Sequence, residues 1–226
     1  MSDKKLAPWT GGLADWTDGD FAYLSVVFSW LLPKAYERAV WYGAQGYRVQ
    51  AGGPAVWASK KYLADVAEIG GDVDALTHHN PDATIASRGC PVGCYFCVVP
   101  KMEGKTFTLL PDFAPRPILC DNNLSALPVE YQEHIIRRYQ ETGVPLLDAN
   151  SGFEPRTFDE LTYRRWDEIN KGPWRFALDD MGDLPHVERM MRILKNEPAS
   201  NKRVYVLIGN EPMAACYERI QKVIEW

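Results

Sequence analysis

The chain has no apolar run long enough for a membrane helix. The longest, Phe21 to Leu32, is about a dozen residues against the roughly 20 a bilayer needs, and Pro33 follows it. No membrane partner is therefore expected. The start, Met-Ser-Asp-Lys-Lys and then Leu6-Ala-Pro-Trp9, lacks the apolar core of a secretion signal, so the expected location is cytoplasmic. Basic excess is missing too. A net charge of −5 gives no broad footprint for nucleic acid, which is not indicated as a partner, and Arg137-Arg138 and Arg164-Arg165 read as solvated helix faces. Cysteine is scarce and unevenly placed: three of five fall between positions 90 and 97, while Cys120 and Cys216 stand alone. That distribution disfavours a disulfide framework and favours metal ligation.

What is present is an ordinary globular composition, 46% hydrophobic with 24% charged, in a chain long enough to bury a core. Five β-rich runs, Ala83–Ser87, Pro117–Cys120, Val144–Leu147, Trp174–Leu178 and Arg203–Ile208, start roughly 27 to 34 residues apart. Each is followed by a polar or glycine-containing loop and a helical pattern, the spacing of repeated strand-loop-helix units around a parallel sheet. Pro128 is expected to open a helix to about Thr142 with Gly143 beyond it. Pro185 is expected to open another, with Val187, Met190, Met191 and Leu194 as core. Thr157-Phe-Asp-Glu160 reads as a capping box for a helix ending near Gly172, and a last helix covers about 211–224. Upstream, Tyr23–Trp30, Pro33–Gln45 and Tyr47–Ala51 form a short βαβ pattern. The chain thus divides into an irregular N-terminal arm (1–20), a βαβ extension (21–82) and a larger α/β unit (83–226).

The chemistry concentrates in Cys90-Pro-Val-Gly-Cys94-Tyr-Phe-Cys97. Thiolates must converge on a small volume to hold an iron-sulfur cluster, and a tight loop carrying Pro91 and Gly93 brings them together. Three thiolates leave one iron of a [4Fe-4S] cluster open. The competing reading is a zinc site completed by His78, His79 or Cys120, since zinc prefers four closed nitrogen or sulfur ligands.

Cys90-x3-Cys94-x2-Cys97, with Phe96 just before the last cysteine, resembles the signature of the radical S-adenosylmethionine superfamily, over roughly residues 83–226. The resemblance implies a partial (βα) barrel of parallel strands. It also implies a cluster whose open iron takes the methionyl amine and carboxylate of S-adenosylmethionine, and a low-potential electron donor such as a flavodoxin or ferredoxin. Reductive cleavage then yields a 5′-deoxyadenosyl radical that abstracts hydrogen from a substrate. Strand-end loops supply the cosubstrate residues in such barrels. Asp121-Asn122-Asn123 is similar in place to the segment with which the family binds the methionyl group. Glu154 resembles a ribose-contacting position, and Arg156 is suited to the carboxylate. Asp179 is an acceptor for ribose hydroxyls, and Ile208-Gly209 resembles the adenine-contacting strand. Plain helix entries are the alternative for Glu154, Arg156, Asp179 and Gly209.

The pattern departs from the family in two ways. Only five barrel strands are legible, so the barrel is expected to be shortened at the C-terminus, with Tyr23–Ala51 extending or capping the sheet. The Gly52-Gly53-Pro54 turn resembles the join to the cobalamin-binding domain found in one branch. None of the four histidines lies in that domain's Asp-x-His-x-x-Gly loop, so cobalamin is not expected. Two other functions compete: a cluster-bearing electron carrier or redox sensor, and a zinc-stabilised structural or nucleic-acid-binding module. Neither the catalytic group facing the substrate nor the substrate itself is named by the sequence.

Overall fold

A computed structural model describes residues 6–71, 74–150 and 152–226. The chain divides after Ala83 into two compact units. Residues 1–5, part of the expected irregular arm, lie outside the described residues.

In the N-terminal unit, β1 (Leu13–Asp18) pairs antiparallel with β2 (Phe21–Val26) across a turn at Gly19. The chain then runs through α1 (Leu32–Ala44), β3 (Arg48–Gly52), α2 (Pro54–Ala58), β4 (Glu68–Ile69) and α3 (Leu76–His79). The strands β2, β3 and β4 are parallel. Alternation buries Ala22, Leu24 and Val26 on one face of β2, and α1 covers that sheet with Leu32, Ala35, Ala39 and Tyr42 at helical spacing. Two expectations are corrected. The arm is not irregular throughout, because residues 13–18 become a strand once β2 supplies a partner for their backbone. The strand expected to run to Trp30 ends at Val26, and Ser29–Leu31 form a 3₁₀ turn leading into α1. Strands β1 to β4 make a sheet of their own rather than extending the later ones.

The C-terminal unit continues with β5 (Ala83–Thr84), β6 (Ser87–Arg88), α4 (Val99–Met102), β7 (Thr108–Leu109), β8 (Ile118–Leu119), α5 (Val129–Thr142), β9 (Asp148–Ala149), α6 (Glu160–Asp167), β10 (Trp174–Leu178), α7 (Leu184–Ile193), β11 (Lys202–Val206) and α8 (Met213–Glu225). Strand β8 pairs parallel with β9, and β10 with β11. A further parallel bridge joins Leu146 to Asn170. The result is a mixed α/β unit of short sheets, none of them closed.

Helix boundaries follow local chemistry. Pro128 precedes α5, and Gly143 ends it in the left-handed conformation at φ 66°, where its N–H bonds the Tyr139 carbonyl. The expected capping box at Thr157 is displaced: Asp159 caps α6 by accepting the Thr162 N–H at 2.7 Å, and the helix stops at Asp167, short of Gly172. Asp159 lies one helical turn before the N–H it satisfies, whereas the Thr157 hydroxyl is drawn to Ser125 Oγ at 3.0 Å. The third expected strand shifts as well, with Leu146 in the bridge and the paired residues at 148–149.

The core of this unit is aromatic. Phe153 sits among Phe158, Trp166, Trp174 and Phe176 with ring centroids 5.1 to 6.1 Å away, while Val187, Met190 and Leu194 of α7 and its extension are fully buried. Trp174, Phe176 and Leu178 face this core, so Arg175, Ala177 and Asp179 alternate to the other side of β10. That alternation delivers charged groups to the site.

Candidate functional site

The three cysteines lie on one loop closed at its base. Strands β6 and β7 pair antiparallel, Ser87 with Leu109 and Arg88 with Thr108, and the Cys90 N–H reaches the Gly104 carbonyl at 3.3 Å. Gly89 has φ +81°, and a Cβ there would collide with the Thr106 carbonyl oxygen, so the neck requires glycine. Within the loop, the Cys97 N–H turns back onto the Cys94 carbonyl at 3.0 Å.

Cys90, Cys94 and Cys97 all line one cavity of about 210 Å³. Burial raises the pKa of the Cys90 thiol, partly offset by hydrogen bonds from the Val92 backbone and the Asn123 side chain. Burial also raises that of Cys94, and the Glu154 carboxylate adds to it. Among the described residues, no group of three or more His, Cys, Asp or Glu side chains is gathered closely enough to hold a single metal ion. A mononuclear site needs all its donors about 2.0–2.3 Å from one centre. Three thiols and no histidine line the cavity, and holding a cluster asks each thiolate to meet a different iron.

The proposed fourth zinc ligands are engaged elsewhere. His79 is buried in the N-terminal unit with its ring nitrogens against Thr10 Oγ1 at 2.8 Å and Ser25 Oγ at 2.9 Å. His78 stacks on Trp16 at 3.9 Å. Cys120 accepts from Asn150 Nδ2 at 3.7 Å, is pushed up to about 11 by burial, and is not among the cavity residues.

The expected cosubstrate residues separate into two groups. Phe96, Asn122, Glu154 and Asp179 line the cavity with the cysteines. Asp121, Arg156, Ile208 and Gly209 are not among its lining residues. Asp121 is fully buried instead, accepting the Ala86 N–H at 2.8 Å and the Ser87 hydroxyl, and burial raises it to about 6 despite those bonds. Arg156 pairs with Asp183 at 2.5 Å and with Glu154 at 3.6 Å. Ile208 is exposed, and Gly209 has φ +95° with open space where a side chain would go. Burial raises the pKa of Asp179, with Asp183, Glu154 and Asp180 adding to it and Arg156 opposing.

Asn123, the last residue of the segment expected at the methionyl group, lines the cavity as well, and two charged or polar lining residues, Arg175 and Tyr205, were not singled out by sequence reasoning. Asn123 is buried and also accepts the Ala126 N–H at 3.2 Å. Arg175 makes a two-pronged pair with Asp148, Nε to Oδ1 at 2.7 Å and Nη2 to Oδ2 at 2.8 Å, and donates to the Tyr205 hydroxyl. Burial opposes the charge on Arg175, yet Asp148 outweighs it and raises the pKa. The period-two pattern of β10 carried this signal, since it puts Arg175 on the face of Asp179. The cavity thus joins three thiols to amide, carboxylate, guanidinium and phenol groups from the ends and faces of β8, β9, β10 and β11. A scan against known protein families finds no match, and neither does a search of curated proteins.

Proposed function

We propose that the chain is a radical S-adenosylmethionine enzyme whose Cys90, Cys94 and Cys97 hold a [4Fe-4S] cluster. The observation that carries the reading is that all three cysteines line the same cavity as Asn122, Glu154 and Asp179. When bound and reduced, such a cluster supplies the electron that splits the cosubstrate's sulfonium into methionine and a 5′-deoxyadenosyl radical, which takes hydrogen from the substrate. The chain's own residues bind and orient. Asn122 and Asn123 offer amides beside Cys90, for the methionyl end. Asp179 offers a carboxylate acceptor for ribose hydroxyls from the C-terminal end of β10. Glu154 is kept in place by its own Arg156, through the N–H at 3.2 Å and the guanidinium at 3.6 Å. Phe96, Phe153 and Phe176 add apolar groups to the cavity wall.

The test is anaerobic reconstitution followed by dithionite and S-adenosylmethionine, reading 5′-deoxyadenosine by chromatography. Product that depends on Cys94 is the expected result. A cluster that reduces and reoxidises but releases no 5′-deoxyadenosine would make the chain an electron carrier or redox sensor, and the proposal would fall.

A further inference from the structure

The cysteine loop is held at its neck by one acidic side chain. Glu103 lies 13 residues beyond Cys90, just after α4, with its side chain 21% exposed. Its Oε2 accepts the Gly89 N–H at 3.0 Å and the Asn122 Nδ2–H at 2.7 Å, while Oε1 pairs with Arg88 Nη1 at 3.1 Å. Asn122 in turn donates to the Gly89 carbonyl at 3.3 Å. The residue directly before the first cysteine is therefore gripped on both its amide and its carbonyl, with its Cα against the Thr106 carbonyl. One of the two gripping side chains, Asn122, is itself a wall residue of the cavity.

We infer that Glu103 is a positioning residue that fixes Cys90 and Asn122 relative to one another, so that the cluster side and the cosubstrate side of the cavity share one carboxylate staple. The inference rests on the cluster reading above. Its chemistry is that of a ligand's outer support: a hydrogen-bonded carboxylate removes freedom from the ligand loop before the ligand is engaged. Carboxylate bonds to an N–H are charge-assisted and stronger than neutral ones, which is why one side chain can hold three groups. Arg88 is half-exposed and contributes little beyond orienting Oε1.

The experiment compares reconstituted wild type, Glu103→Ala, Glu103→Gln and Arg88→Ala. It reads the rate at which a chelator strips iron and the change in the reduced cluster's EPR spectrum on adding S-adenosylmethionine. Loss of outer support commonly costs about tenfold or more in metal affinity. Glu103→Ala is expected to release iron about tenfold faster and to show a broadened or diminished cosubstrate-induced spectral change. Glu103→Gln keeps one oxygen for the Gly89 N–H but loses the charge and turns an amide toward Arg88, so it is expected to release iron faster than wild type and more slowly than Glu103→Ala, and Arg88→Ala is expected to match wild type. If Glu103→Ala retains iron at the wild-type rate and gives the wild-type spectral change, the positioning role is wrong. If Glu103→Ala simply fails to fold, Glu103→Gln decides: wild-type behaviour in both readouts at every chelator concentration overturns the inference, and faster release supports it. A wild type that binds no iron at all would instead defeat the cluster reading, independently of the variants.

Discussion

Replacing Asp121 by asparagine should remove a specific pH dependence of stability. The carboxyl is fully buried and titrates at about 6 in the fold, against an ordinary value of 3.8. Between those two values the folded chain still holds the proton after the unfolded chain has released it. The folded state then binds more protons, so stability falls as pH rises from about 4 to about 6 and is level above that. At about 1.4 kcal/mol per tenfold change in proton activity, the loss amounts to about 3 kcal/mol. Asparagine has nearly the same shape, keeps an oxygen for the Ala86 N–H, and carries an amide that donates to the Ser87 hydroxyl, so it mimics the protonated acid. The measurement is urea unfolding of the iron-free protein from pH 4 to pH 7.5, read by hydrogen exchange on peptides covering residues 118–150. The stability of wild type relative to Asp121→Asn should drop by about 3 kcal/mol across that range, with the change complete by pH 7. Parallel curves would refute the reasoning and show that Asp121 ionises in the fold as it does in the unfolded chain. Cosubstrate binding should survive the substitution, because Asp121 is not a lining residue of the cavity.

Cys97→Ala should abolish retained iron while leaving the fold, which iron analysis together with circular dichroism will show. Gly152→Ala should cost about 1–3 kcal/mol, since φ is +79° and the new Cβ would sit 2.5 Å from the Arg175 carbonyl; thermal unfolding checks it. Arg219→Met should lower stability by about 3 kcal/mol in denaturant titration. Arg219 is fully buried, donates to the Leu178 carbonyl at 2.6 Å and pairs with Glu211 at 3.2 Å, so the variant removes the Leu178 carbonyl's donor and leaves Glu211 only the Met181 N–H in place of its counter-charge.

Helix positions were the most legible part of the sequence where a proline and a glycine bracket the segment. Pro128 and Gly143 frame α5 because one lacks an N–H that the first turn cannot use and the other adopts the left-handed conformation at no steric cost. The capping box failed for a complementary reason. Thr157, Asp159 and Glu160 all suit a helix entry by type, and the choice of Asp159 depends on Ser125, over thirty residues away, engaging Thr157. Strand β1 was hidden because its Asp and Trp residues do not alternate cleanly, and its pairing partner decides its state.

The sequence by itself determined where the three cysteines fall and that Pro91 and Gly93 turn the chain between them, because spacing and residue type are local properties. It also determined the βα alternation and, through the period of β10, which residues face away from the aromatic core. Only the tertiary structure decided which strand-end polar groups share a cavity with the thiols. Asp121 and Asn122 are neighbours in sequence, yet one is drawn into the core by Ala86 and Ser87 while the other is held at the cavity by Glu103 and Gly89. Those partners come from separate turns of the chain. A hydrogen-bonding side chain takes the direction of whichever partner the packing brings within reach.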